Sequence, residues 1–122
     1  MSKVLIVDDD GTSRQAVRSL FEGEAGFDVC GEAVNGLDAL AKANHLSPDI
    51  IVLDLSMPVM NGLEAAELLK LILPRVPIFM LTVHSGPEVQ GAAQAAGVDA
   101  VFSKSEDLSR LITRAKAVLH AE

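Results

Sequence analysis

The 122-residue sequence predicts an α/β fold: a doubly wound, five-stranded parallel sheet in the order 2-1-3-4-5, with five helices. Two observations carry this. Short β-rich apolar runs alternate with amphipathic stretches five times along the chain. Two of the runs, Ile50-Ile51-Val52-Leu53 and Ile78-Phe79-Met80-Leu81, lack apolar/polar alternation, which marks strands covered by helices on both faces.

The elements follow in order. The first strand is read at 3–8, where Val4-Leu5-Ile6-Val7 runs into Asp8, Asp9 and Asp10. A helix at about 12–24 carries Val17, Leu20 and Phe21 at i, i+3, i+4. The second strand, 28–32, contains Cys30, and the turn Asn35-Gly36 leads to a helix marked by Leu37, Leu40 and Ala41. Ser47-Pro48 precedes the third strand, 49–54, which ends in Asp54; a broadly apolar helix at 63–73 stops before Pro74. The fourth strand, 77–82, ends in Thr82. Its helix shows Val89, Ala92, Ala93 and Ala96, with Gly91 inside it at a cost of about 1 kcal/mol relative to Ala. This helix is expected to be the least secure. After Gly97 comes the fifth strand, 99–103, then Lys104 and a helix with the full stripe Leu108, Leu111, Ile112, Ala115 and Leu119. Repeats, low-complexity tracts and linkers are absent, so one domain over 1–122 is expected.

Composition excludes several classes. The net charge is −7, with four Phe and no Trp or Tyr, so a basic face with stacking aromatics is missing and direct nucleic-acid binding is not expected. No apolar stretch reaches the roughly 18 residues of a membrane span. Met1-Ser2-Lys3 leads into the first strand with no apolar h-region before a cleavage site, so no leader is expected. A lone cysteine, Cys30, cannot form an internal disulfide; it is expected to be a small apolar strand residue in a cytoplasmic protein.

In such sheets, ligands bind at the carboxyl ends of the strands, at the switch between strands 1 and 3. The residues there are Asp8, Asp9, Asp54, Thr82 and Lys104. Like charges about 4 Å apart at an effective dielectric near 20 repel by roughly 4 kcal/mol, so three carboxylates on one rim need a cation. Hard oxygen donors without Cys or clustered His favour Mg²⁺. A carboxylate can attack phosphorus to give an acyl phosphate, and an ammonium and a hydroxyl can hold the phosphoryl oxygens. Asp10 is expected to face the positive end of the first helix. His45, His84 and His120 are not spaced as a metal site; His84, two residues after Thr82, is a candidate modulator of the rim.

The stretches "LIVDDD", "VLDLSMPVMNGLEA", "PIFMLT" and "FSK", in this order, resemble response-regulator receiver domains, and the resemblance covers nearly all of the chain. It implies a flavodoxin-like fold with Asp54 as phosphoacceptor. Asp8, Asp9, Asp54 and the backbone carbonyl of Ser56 would hold Mg²⁺, and Thr82 and Lys104 would sense and bind the phosphoryl group. It also implies a histidine kinase or phosphotransfer protein as donor. Because the fourth helix is the least secure, phosphorylation is expected to reposition helix 4, strand 5 and helix 5 through Thr82 and create a face for a partner or a homodimer. Such a domain promotes its own phosphotransfer and has no separate substrate. "FDVCGEAVNGLDAL" and "SKSEDL" resemble receivers that precede a helix-turn-helix DNA-binding domain.

Two alternatives stand beside it. A degenerate receiver would act as a binding module alone. "VDDDGTS" also fits the D-x-D-G-T motif of haloacid-dehalogenase-type phosphatases, with Asp8 as nucleophile and Asp10 as general acid. Against the latter, only Glu106 and Asp107 follow Lys104, at a helix start, and Asp54 has no task. The sequence also departs from the receiver pattern. Ser105 replaces the proline that usually follows the lysine after a cis peptide, and a cis bond before Ser costs roughly 2.5–4 kcal/mol. Val101 stands where an aromatic often does. Val83 replaces a small residue after Thr82 and is expected to shield a phosphoryl group from water.

Overall fold

A computed structural model describes residues 1–83 and 86–119 of the chain. His84 and His120 lie outside the described residues. The elements are β1 Ser2–Val7, α1 Gly11–Glu22, β2 Phe27–Ala33, α2 Gly36–Leu46, β3 Ile50–Asp54, α3 Gly62–Ile72, β4 Ile78–Thr82, α4 Pro87–Ala95, β5 Ala100–Ser103 and α5 Ser109–Leu119. Every strand pair is parallel, and the order is β2-β1-β3-β4-β5, as the sequence predicts.

The pleat sorts each strand's side chains between two cores. Val4 and Ile6 join Ile50, Val52, Phe79 and Leu81 on the face covered by α1 and α5, through Val17, Phe21, Leu111, Ile112 and Ala115. Leu5 and Val7 join Ile51, Leu53, Ile78 and Met80 on the face covered by α2, α3 and α4. Both faces are dry, which explains the unbroken apolar runs of β3 and β4. All five residues of β3 and of β4 are buried, Asp54 and Thr82 included.

Polar side chains set the helix starts. Asp10 caps α1, accepting the Thr12 N–H at 3.2 Å. Asn35 caps α2, and Asn61 with Glu64 forms a capping box on α3. α4 has Pro87 in its first turn but no side-chain cap, and Ala93 is its one buried residue.

The expected face of α2 is corrected in part: Leu40 packs against the core as expected, but its two companions do not. Leu37 is 56% exposed and Ala41 is exposed as well, while Gly36, Ala39 and Ala43 are buried. The sequence reading follows the large side chains, but α2 approaches its neighbours too closely for them. A Cβ on Gly36 would lie 2.7 Å from the Met60 carbonyl oxygen, which accepts the Gly36 N–H. Small residues therefore face inward.

Candidate functional site

β1 and β3 are neighbours, with Val7 opposite Leu53, so the residues that follow emerge side by side although 46 positions separate them in Asp8 and Asp54. Asp54 lies opposite Leu81 of β4, and Thr82 opposite Ser103 of β5. The Lys104 N–H then extends the ladder by donating to the Thr82 carbonyl at 2.9 Å. Strand pairing thus delivers Asp8, Asp54, Thr82 and Lys104 to one edge of the sheet.

One carboxylate oxygen from each of Asp8, Asp9 and Asp54 lies within 4.8 Å of the other two. Asp8 and Asp54 are buried and Asp9 is exposed, so the cluster opens to solvent on the Asp9 side. Lys104 Nζ sits 3.0 Å from Asp8 Oδ2 and 3.3 Å from Asp54 Oδ1. The remaining Asp8 oxygen accepts the Asp10 N–H at 2.9 Å. The lysine offsets one negative charge of three. Hard oxygen donors converge here at a spacing a small divalent cation can span, and the donor set fits such an ion.

The electrostatics follow from this crowding. Burial, then the Asp8 charge, pushes the Asp54 carboxyl up to about 6 against the opposing pull of Lys104. Burial draws Lys104 down, but its hydrogen bond to Asp8 and the nearby Asp54 and Asp8 charges outweigh that and hold it above its ordinary value. Asp54 is a buried carboxyl that is largely ionised at neutral pH and has a cation 3.3 Å away.

The loop after β3 folds back onto the end of that strand. Gly62 N–H donates to the Leu55 carbonyl at 2.8 Å, and a Cβ on Gly62 would lie 2.3 Å from the Asp54 carbonyl oxygen. Only glycine allows α3 to start so near the end of β3. Ser56 is exposed in this loop, and Val59, 77% exposed, has a φ of +70°, which is strained for a β-branched residue. Among the described residues no peptide bond is cis, so the Lys104–Ser105 bond is trans. Ser105 ties the turn otherwise: its N–H donates to Ser103 Oγ at 3.2 Å, and the two hydroxyls are 2.7 Å apart. Val101 is half-buried against the α2–α4 core, and Val83 is 64% exposed.

The pattern of the response regulator receiver domain matches residues 4–116. The chain belongs to this family. The receiver is 38% identical over 107 residues to response regulator protein VraR of Staphylococcus saprophyticus, an overlap of 88% of this chain and 51% of that protein. It is 44% identical over 99 residues to a protein-glutamate methylesterase/protein-glutamine glutaminase of Paramagnetospirillum magneticum, covering 80% of this chain and 28% of that enzyme. The chain spans about half or less of the length of these two relatives. Its structure superposes on a LuxR-family two-component response regulator from Aurantimonas sp. with a TM-score of 0.93 and 29% identity, over 100% of this chain and 87% of the other. For the chemotaxis protein CheY4 of Vibrio cholerae the TM-score is 0.88 and the identity 35%, over 98% and 99%. The receiver is thus a two-component signalling module with the flavodoxin-like topology. Methylesterase relatives are enzymes by name, and the part of that relative matched here is 28% of its length. Among the described residues no helix is long and apolar enough to cross a membrane.

Arg14 is the residue that sequence reasoning missed at this edge. Its guanidinium reaches the Asp8 backbone, and its position in the first turn of α1 is the only sequence signal for it.

Proposed function

We propose that residues 1–122 form one receiver domain that accepts a phosphoryl group on Asp54 from a histidine kinase or phosphotransfer protein in the cytoplasm. An ionised Asp54 oxygen attacks the phosphorus of a phosphohistidine. A P–O bond forms, the P–N bond breaks, and its electron pair stays on the imidazole nitrogen, leaving an acyl phosphate. Asp8, Asp9, Asp54 and the Ser56 carbonyl would hold Mg²⁺, which when bound offsets the phosphoryl oxygens' charge. Lys104 then transfers its interaction from the carboxylates to a phosphoryl oxygen, and the Thr82 hydroxyl binds another. Val83, next to Thr82, narrows the approach of water.

The observation that carries this reading is the convergence of three aspartate oxygens within 4.8 Å, with Lys104 3.3 Å from Asp54. The signal passes through Thr82 and Lys104 to α4, β5 and α5, the face we assign to a homodimer, while DNA is contacted by none of these residues. The domain acts as a switch and turns over no separate substrate. Incubation with a small acyl-phosphate donor and Mg²⁺, followed by intact-mass measurement, tests it. One phosphoryl group is expected on the wild type and on none of the Asp54→Asn protein. Label kept by Asp54→Asn and lost by Asp8→Asn would instead favour a phosphatase with Asp8 as nucleophile.

A further inference from the structure

The β1–α1 turn presents three adjacent carboxylates, and two of them tie it locally: Asp8 Oδ1 accepts the Asp10 N–H and Asp10 Oδ1 the Thr12 N–H. Arg14, in the first turn of α1, reaches back to it. Its Nη1 donates to the Asp8 backbone carbonyl at 2.8 Å, and its Nε donates to Glu32 Oε1 at 2.6 Å. Glu32 lies on β2 opposite Ile6 of β1, two residues before Asp8. Its other oxygen takes Arg18, and Lys42 Nζ donates to its backbone carbonyl at 2.5 Å. Burial raises the Glu32 carboxyl, but the Arg14 and Arg18 hydrogen bonds outweigh it and keep it below the usual carboxylate range.

The bonding pattern separates two roles. A counter-ion for the acidic cluster would touch carboxylate oxygens, as Lys104 does. Arg14 touches the Asp8 carbonyl instead, and its charge is met by Glu32 rather than by the cluster. It consumes no carboxylate oxygen of Asp8 or Asp9. The Asp8 backbone is held at its other end too, where its N–H donates to the Ala33 carbonyl at 3.0 Å. β2 therefore clamps Asp8 twice, once through its own ladder and once through Glu32 and Arg14. We infer that Arg14, oriented by Glu32, is a positioning residue that sets the geometry of the Asp8–Asp9 pair toward a divalent cation. This rests on the reading of Asp8 and Asp9 as cation-holding residues.

Calorimetric titration of the full chain with Mg²⁺ tests it, with no phosphodonor present. Outer partners of a metal site change affinity by about 10- to 100-fold when removed. For Arg14→Met the expected result is Mg²⁺ binding about tenfold weaker. If Arg14 acted only as a charge, or only as a structural pin, the variant would bind Mg²⁺ more tightly or equally, because a cation near a dication's site is gone. Arg14→Lys keeps the charge but cannot span both Asp8 and Glu32; it is expected to lose affinity severalfold, and it decides the matter if Arg14→Met does not fold. Arg18→Met touches Glu32 but not Asp8 and should stay within about twofold of wild type. A wild type that binds no Mg²⁺ overturns the site reading itself. A wild type that binds, with Arg14 variants at equal or higher affinity, overturns the role of Arg14 alone.

Discussion

Asp54 is 5% exposed and shares its edge with a second buried carboxylate, so its ionisation opposes folding. Its folded pKa of about 6 exceeds the ordinary 3.8. Between those values the folded protein holds a proton that the unfolded chain has released. Stability from this group is therefore fully present below about pH 4 and declines as pH rises through about 6, by roughly 3 kcal/mol. Asp54→Asn lacks the charge. Urea melts without divalent cation should give equal stabilities for variant and wild type near pH 4, and a variant more stable by roughly 3 kcal/mol at pH 7.5. A difference that does not grow with pH would mean that Lys104 already compensates Asp54 in full. Glu32 has the opposite sign: its lowered value adds stability that is lost only in acid, which is why the comparison with the variant is needed.

Glycines distinguish the rigid elements from the loose one. At Gly62 a Cβ would meet the Asp54 carbonyl oxygen at 2.3 Å, where backbone must yield. At Gly91, inside α4, nothing lies within 4 Å of the same added atom. Gly62→Ala should cost roughly 2–3 kcal/mol in a denaturant melt, through overpacking against the end of β3. Gly91→Ala should stabilise the protein by up to about 1 kcal/mol and slow amide exchange across 87–95. α4 also has nine residues, no side-chain cap and one buried side chain, so its low stability is built from several independent deficits. Equal effects at the two glycines would contradict this difference. The poor cap and small residues of α4 are readable in the sequence, but the inward face of α2 is not. Leu37, Leu40 and Ala41 form a stripe by period, yet of these only Leu40 packs against the core, and the close approach of Gly36 to Met60 goes with Ala39 and Ala43 turned inward.

Across the molecule, the two faces of the sheet have different partners for the site. The α1 and α5 face is built on large side chains, including Phe21, Phe79 and Leu111, each fully buried. α4 adds to the opposite core only small residues, Ala93 and, just past its end, Ala96. A change at Asp54 that pulls on Thr82 and Lys104 acts at the ends of β4 and β5, beside the element that is easiest to move. Hydrogen exchange with a bound phosphoryl mimic and Mg²⁺ should therefore change between 87 and 119, while β1, β3 and α1 stay constant. Unchanged protection over 87–119 would place the response elsewhere.

Local pattern was enough for the topology and for most of the candidate site. The apolar runs of β1, β3 and β4 each stop at a polar residue, and a parallel sheet puts all such ends on one edge. Asp8, Asp9, Asp54, Thr82 and Lys104 were therefore legible from position alone. The α2 face, the Ser103–Ser105 tie, the raised Asp54 carboxyl and the grip of Arg14 on the Asp8 carbonyl were not. The Ser103–Ser105 tie and the Arg14 bond join residues two and six positions apart, but no residue pattern signals these side-chain conformations. The other two depend on distances between segments remote in the chain, such as the 96 positions separating Asp8 from Lys104. Hydrogen bonding and charge interaction fall off within a few ångströms, and that separation is settled only when the strands pair and the helices pack.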